Sequence, residues 1–210
     1  MNGTKASWFG ISGVVLFVAT TIVAAMLLPG YSHVSQLISE SYAIGTTYGI
    51  QLRFMGFMPA GICIAVFAFS AIRILPKSKL TQVGFWGLGL FYGLGTVVVS
   101  FFPCDKGCNK EFIDPSISQI IHNLTGLLTY LVVPACLIMI GIAARKWPGG
   151  SMVSWFGISC GIAAIFFIGI LSGDMENAWA GLYQRIIEAC VLACIVAFSF
   201  YLRGWQWRKN

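Results

Sequence analysis

Charge is scarce in this sequence. Lys, Arg, Asp and Glu make up 10% of its 210 residues, against about 25% in soluble globular domains. No polar stretch is long enough to fold as a separate soluble unit. Those shortages exclude a water-soluble enzyme and a nucleic-acid-binding domain. Histidine is rarer still, with His33 and His122 far apart and neither in a spacing that chelates a metal, so no metal site is expected. H-E-x-x-H is absent, and the G-x-S-x-G match at Gly157-Ile158-Ser159-Cys160-Gly161 lies inside an apolar span and not at a strand-to-helix turn, so no local motif names a hydrolase.

What is abundant is apolar surface. The chain is 58% hydrophobic, with a mean hydropathy of +0.83. A helix crossing roughly 30 Å of hydrocarbon needs about 20 apolar residues, and six runs of that length are bounded by charge, Pro or Gly: Trp8–Leu28, Gln51–Leu75, Gln82–Phe102, Ser118–Ala143, Met152–Leu171 and Ala180–Leu202. The expected fold is all-α, a single six-helix transmembrane domain over residues 1–210. Ser7-Trp8-Phe9-Gly10-Ile11-Ser12 recurs as Ser154-Trp155-Phe156-Gly157-Ile158-Ser159, and Phe85-Trp86-Gly87 opens the third span. Three hairpin repeats would explain this, as would the ordinary collection of aromatic residues at interfaces. Gly89 with Gly93, and Gly157 with Gly161, have the spacing that lets helices approach closely. Pro59 and Pro134 fall inside the second and fourth spans, where each is expected to kink its helix and help open a cavity.

The net charge of +6 is distributed by side. Lys5, Arg73, Lys77, Lys79, Arg145, Lys146, Arg203, Arg208 and Lys209 fall at one set of helix ends with no acid among them; Glu40, Asp105, Glu111, Asp114, Asp174 and Glu176 fall at the other, with only Lys106 and Lys110. The positive-inside rule makes the first set cytoplasmic, so the expectation is a multi-pass protein of the plasma (inner) membrane with both termini inside. No small-residue cleavage site follows the first span, so that helix is expected to be retained.

A charge at the centre of a span costs about 2.5–3.5 kcal/mol on an insertion scale, which makes Arg53, Arg185 and Glu188 informative. His122 joins them. Counted from the outer ends, Arg53 and His122 lie a few ångströms deep, Arg185 roughly 7 Å and Glu188 roughly 12 Å, all in one leaflet. Arg185 and Glu188 are spaced to pair on one face of the last helix beside Gln184, while Ser118, His122, Thr125 and Thr129 form a polar stripe on the fourth. Each also has a structural reading: Arg53 snorkelling to the interface, Arg185–Glu188 as an ion pair between helices, His122 as a hydrogen-bonded core residue. Their common depth favours a site.

Outer loops would cover that site. In Pro29–Tyr48, Val34, Leu37, Ile38 and Tyr42 recur at helical spacing, which predicts a short amphipathic helix in the interface. Its polar face would carry Ser32, Ser35, Gln36, Ser39 and Glu40. Cys104 and Cys108 share an outer loop and are candidates for a disulfide, a redox dithiol being less well supported. The five span cysteines read as small hydrophobic residues.

Tyr31-Ser32…Ser35…Ile38-Ser39-Glu40, Phe102-Pro103-Cys104-Asp105, His122 and Gln184-Arg185 together resemble the pattern of the prokaryotic six-span membrane proteins catalogued as domain of unknown function 998. The resemblance covers nearly the whole chain. It implies six helices and attention to these positions, and supplies no reaction.

The residues lead to an outer-leaflet polar site that binds or modifies a lipid or small anionic headgroup, with membrane lipids as partners. Arg53, Arg185, Gln184, Ser32, Glu40, Asn123 and Asp174 are the candidate binding groups. His122 is the candidate acid or base, Ser32, Ser35 or Ser39 the nucleophile, Asp105 or Asp174 the group that orients the histidine, and Glu188 a further catalytic carboxylate. A transporter or ion pathway and a purely structural or sensory protein are the alternatives. The sequence names no cofactor and no oligomeric state.

Overall fold

The computed structural model describes residues 1–208, with side chains through Gly204; Arg208 and Lys209, counted above among the basic residues, lie outside the described side chains. The described chain is helical, without a strand. Six helices are long and apolar enough to cross a membrane: α1 (Gly3–Leu27), α2 (Gly49–Ile74), α3 (Lys79–Phe101), α4 (Ile117–Ala144), α5 (Ser151–Gly173) and α6 (Ala180–Gly204). This is an integral, multi-pass membrane protein, as the apolar runs predict. Side-chain oxygens start three of the helices, with Asn2, Ser78 and Ser116 accepting from the backbone N–H three residues on.

The helices form a ring in chain order. Each packs against its sequence neighbours, and α6 closes back on α1. Close approach follows from glycine: a Cβ on Gly141 would lie 2.8 Å from the Ser154 carbonyl oxygen, and one on Gly161 would lie 2.8 Å from that of Pro134, so α4 and α5 touch backbone to backbone. Gly61 and Gly93 serve α2 and α3 likewise, with 2.6 Å from the would-be Gly61 Cβ to the Gly93 carbonyl oxygen. In both copies of the Ser-Trp-Phe-Gly-Ile-Ser segment, Ser7 and Gly10, Ser154 and Gly157 are buried, while Trp8 and Trp155 face out.

The two ends of the ring are built differently. Toward the basic loops the centre is filled by fully buried Phe67, Phe85 and Phe198, in edge-to-face contacts of 6.1 and 5.8 Å between ring centroids. Toward the acidic loops, α2 and α3 carry wide π-helical segments, Leu52–Phe57 and Leu88–Leu94. At the first, Met58 N–H donates to the Arg53 carbonyl, five residues back, and Pro59 follows directly, so the missing proline N–H is absorbed by a wide turn. Pro134 stays within the continuous helix α4.

The first acidic loop departs from its expected form. Its only helix is a short 3-10 turn, Ile38–Tyr42. Leu37, Ile38 and Tyr42 are buried against the bundle while Val34 is exposed, so no amphipathic α-helix lies in the interface. The polar bundle interior offers this loop hydrogen bonds that a lipid surface would not.

Candidate functional site

The loop is held down by Arg185. Its Nε donates to His33 Nδ1 at 3.0 Å, Nη1 to the carbonyls of His33, Gln36 and Gly181 at 2.8, 2.8 and 2.9 Å, and Nη2 to the Tyr31 hydroxyl at 2.7 Å. Burial and the neighbouring guanidinium hold the His33 pKa below the usual histidine range, which keeps the imidazole neutral and able to accept. The Arg185–Glu188 pairing anticipated from their spacing is therefore not formed. Spacing placed both on one helix face, but the loop carbonyls reached the guanidinium first.

Glu188 instead turns into a cavity of about 560 Å³ at the acidic end. The Tyr92 hydroxyl donates to its Oε2 at 2.6 Å and the Tyr130 hydroxyl to its Oε1 at 3.0 Å. Gln184 ties this cluster to the loop, donating from Nε2 to the Tyr130 hydroxyl at 3.1 Å and accepting from Ile38 N–H at 2.6 Å. The single ion pair among the described residues joins Lys110, at the cavity wall, to Glu40 at 2.9 Å.

Ser39, His122, Asn123, Gln184 and Glu188 line the cavity, with Cys108. Arg53 and the remaining candidates Ser32, Ser35, Glu40, Asp105, Asp174 and Arg185 do not. Arg53 Nε donates to the Gly49 carbonyl at 3.1 Å, and the guanidinium lies 5.7 Å from the Phe54 ring centroid. Asp105 accepts from Ser116 Oγ at 2.6 Å and Ser116 N–H at 3.0 Å, and these bonds hold its pKa below the usual carboxylate value. Asp174 accepts from Glu176 N–H within its own turn. His122 Nδ1 bonds the Phe102 carbonyl at 3.1 Å; a carbonyl only accepts, so Nδ1 carries the proton. The histidine is oriented by a backbone oxygen, and among the described residues no carboxylate is bonded to it.

Cys104 and Cys108 are joined in a disulfide, with Cα atoms 4.8 Å apart, and Ser39 Oγ lies 3.2 Å from Cys108 Sγ. The two sulfurs and a His122 nitrogen lie within 4.8 Å of one another. Bonded to each other, the sulfurs are not thiolates and offer no metal-ligand pair. Ile44 N–H donates to the Cys104 carbonyl at 2.8 Å, so the disulfide turn and first loop close over the cavity together.

Aromatic residues carry much of the remaining wall, and composition alone does not single them out. Phe17 from α1, Phe57 and Tyr92 from the π-helical segments, Tyr42 from the loop and Tyr130 from α4 converge there. The one sequence signal for Tyr92 and Tyr130 is a hydroxyl inside a span, where it needs a partner that the sequence does not identify. A second groove of about 340 Å³ runs between α1 and α6 and shares Phe17, Ile38 and Glu188 with the cavity. Val18 and Ile22 on its edge are exposed on the apolar outer surface.

These features define a multi-pass helical membrane protein with a cavity confined to one end. Its sequence matches the family described as protein of unknown function DUF998 over residues 11–201, and the chain belongs to that family. No curated protein and no solved structure matches the chain.

Proposed function

We propose that the protein binds a single amphiphile drawn from the outer leaflet, with its polar head among Glu188, Tyr92, Tyr130 and Gln184 and its tail along the apolar wall. The observation that carries this reading is the cavity itself. Its volume of about 560 Å³ is that of a site for one small molecule. The positive-inside rule assigns its end of the bundle to the exterior. The groove between α1 and α6, meeting the cavity at Phe17, Ile38 and Glu188, supplies a lateral route from the bilayer. A path through the membrane is disfavoured by the packed Phe67, Phe85 and Phe198 centre, and hydrolysis by the partners of His122, Asp105 and Asp174, which are the Phe102 carbonyl, Ser116 and Glu176 N–H and not one another.

Gly126 provides the test. It lines the cavity, and a Cβ there would meet nothing within 4 Å. Gly126→Phe should carry a ring into the cavity from a Cβ that meets no neighbour. Wild-type protein released from vesicles of mixed phospholipids and single-chain amphiphiles should carry one bound amphiphile by native mass spectrometry, and the variant none, with its melting temperature maintained. Equal retention by both would remove the cavity from the binding reading.

A further inference from the structure

The cavity holds a carboxyl group whose counter-charge is missing. Both Glu188 oxygens accept from tyrosine hydroxyls, which stabilise a negative charge without neutralising it. The nearest cation in sequence, Arg185, donates all its described hydrogen bonds to His33, Gln36, Gly181 and Tyr31. Lys110, at the cavity wall, is paired with Glu40. No cation is paired with Glu188 among the described residues. A buried carboxylate in apolar surroundings is costly unless a positive partner joins it.

The wall around it has the second property of a cation site. Phe17 and Phe57 meet edge to face at 5.2 Å, Tyr42 and Phe57 at 4.9 Å, and Phe17 stacks with Tyr92 at 6.2 Å between centroids. Aromatic faces attract a weakly hydrated cation, and such rings beside a carboxylate are how quaternary ammonium groups are held. Arg53 does not line the cavity, and Arg185, at the adjoining groove, is committed to the first loop and the Gly181 carbonyl. Sequence spacing suggested a phosphate or carboxylate ligand; the geometry reverses the sign.

We infer that the cavity selects a substituted ammonium cation bearing an apolar chain, with Glu188 as its counter-ion and Phe17, Tyr42, Phe57 and Tyr92 as its aromatic cage. This rests on the amphiphile-binding reading and adds the charge of the head. The shared chemistry is an alkylated ammonium, supplied either by a membrane amphiphile or by a water-soluble organic cation.

Three probes with the same chain decide it in nanodiscs of neutral lipid: hexadecyltrimethylammonium, hexadecanoate and hexadecanol, each at low mole fraction. The ammonium probe should bind tightest, and Glu188→Gln should weaken it by about thirtyfold or more, as removing one partner of a buried charge pair does. The same variant should weaken hexadecanol far less than the ammonium probe and keep the wild-type melting temperature, which reports that its cavity is folded. Tyr42→Leu should weaken the ammonium probe severalfold while Tyr42→Phe, which keeps the ring, does not. Competition by tetraethylammonium added to the aqueous side would assign a soluble source, and its failure to compete a membrane one. Equal binding of all three probes, or preference for hexadecanoate, overturns the cation inference and leaves the amphiphile reading standing. Failure of all three to bind overturns both.

Discussion

The two ends of this bundle solve opposite problems with the same residue types. At the basic end, phenylalanine fills the ring: Phe85 is fully buried between Phe67 and Phe198, and glycine removes the last space, a Cβ on Gly84 lying 3.0 Å from the Cys136 carbonyl oxygen. At the acidic end, Phe17 and Phe57 border an open volume, and Gly126 leaves space that nothing occupies. Aromatic content therefore says little about packing. What differs is polar chemistry: Glu188, Gln184 and the tyrosine hydroxyls need partners, and satisfying them holds the walls apart where phenylalanine alone would close them.

The largest effect expected from this contrast is at Phe85. Phe85→Ala empties a site with rigid neighbours and should cost about 3–5 kcal/mol, read as a fall in reversible unfolding stability in nanodiscs. Phe57→Ala removes the same group beside an existing cavity and should cost clearly less. Equal losses would mean that the acidic end is as tightly packed as the basic end. Arg185→Ala comes next. It deletes the guanidinium that makes four hydrogen bonds from α6 to the first loop and should cost about 2–3 kcal/mol, the scale of charge-assisted bonds lost together. The loss should be local, with faster amide exchange in residues 29–48 and none added around Phe67, Phe85 and Phe198. Spread of exchange to that core would show that the ends are not independent.

How far each end was legible follows from the same physics. Helix number and place were visible because apolar run length is set by bilayer thickness, and α1 through α6 depart from the marked spans by a few residues at their ends. The glycine crossings were visible as spacing, Gly157 and Gly161 lying against Leu137 and Pro134. Glu188, His122 and Gln184, polar residues singled out within the spans, line one cavity, whereas Arg53 and Arg185 do not. Partner choice was not legible. Arg185 is three residues from Glu188, yet four of its five bonds go to a loop some 150 positions away in sequence, because the carbonyls left unpaired in a non-helical loop compete for it. The interfacial helix failed for a related reason: Leu37, Ile38 and Tyr42 have helical spacing, but Gln184 and Arg185 draw the loop into the bundle and only one 3-10 turn survives. Tyr92 and Tyr130 carry no periodic signature, and their role emerged only when α3, α4 and α6 were brought together around Glu188.

The smallest effect belongs to the rim of the acidic end, where Asp105 joins the disulfide turn to the start of α4. Hydrogen bonds from the Ser116 hydroxyl and N–H hold its pKa below the ordinary carboxylate value. A carboxyl group whose pKa is depressed by folding contributes stability above the unfolded value of about 3.9 and loses that contribution as pH falls through the lower folded one. Amide exchange at Asp105 and Ser116 should thus be slow and constant from pH 7 to about pH 5, after correction for intrinsic rates, and should accelerate as pH falls below about 4. Asp105→Asn should show the faster exchange at every pH and no such transition. The Phe85 core, which contains no titrating side chain, should not respond over this range. A transition of equal size in the variant would place the acid sensitivity elsewhere, and one reaching the core would join the two ends that their packing separates.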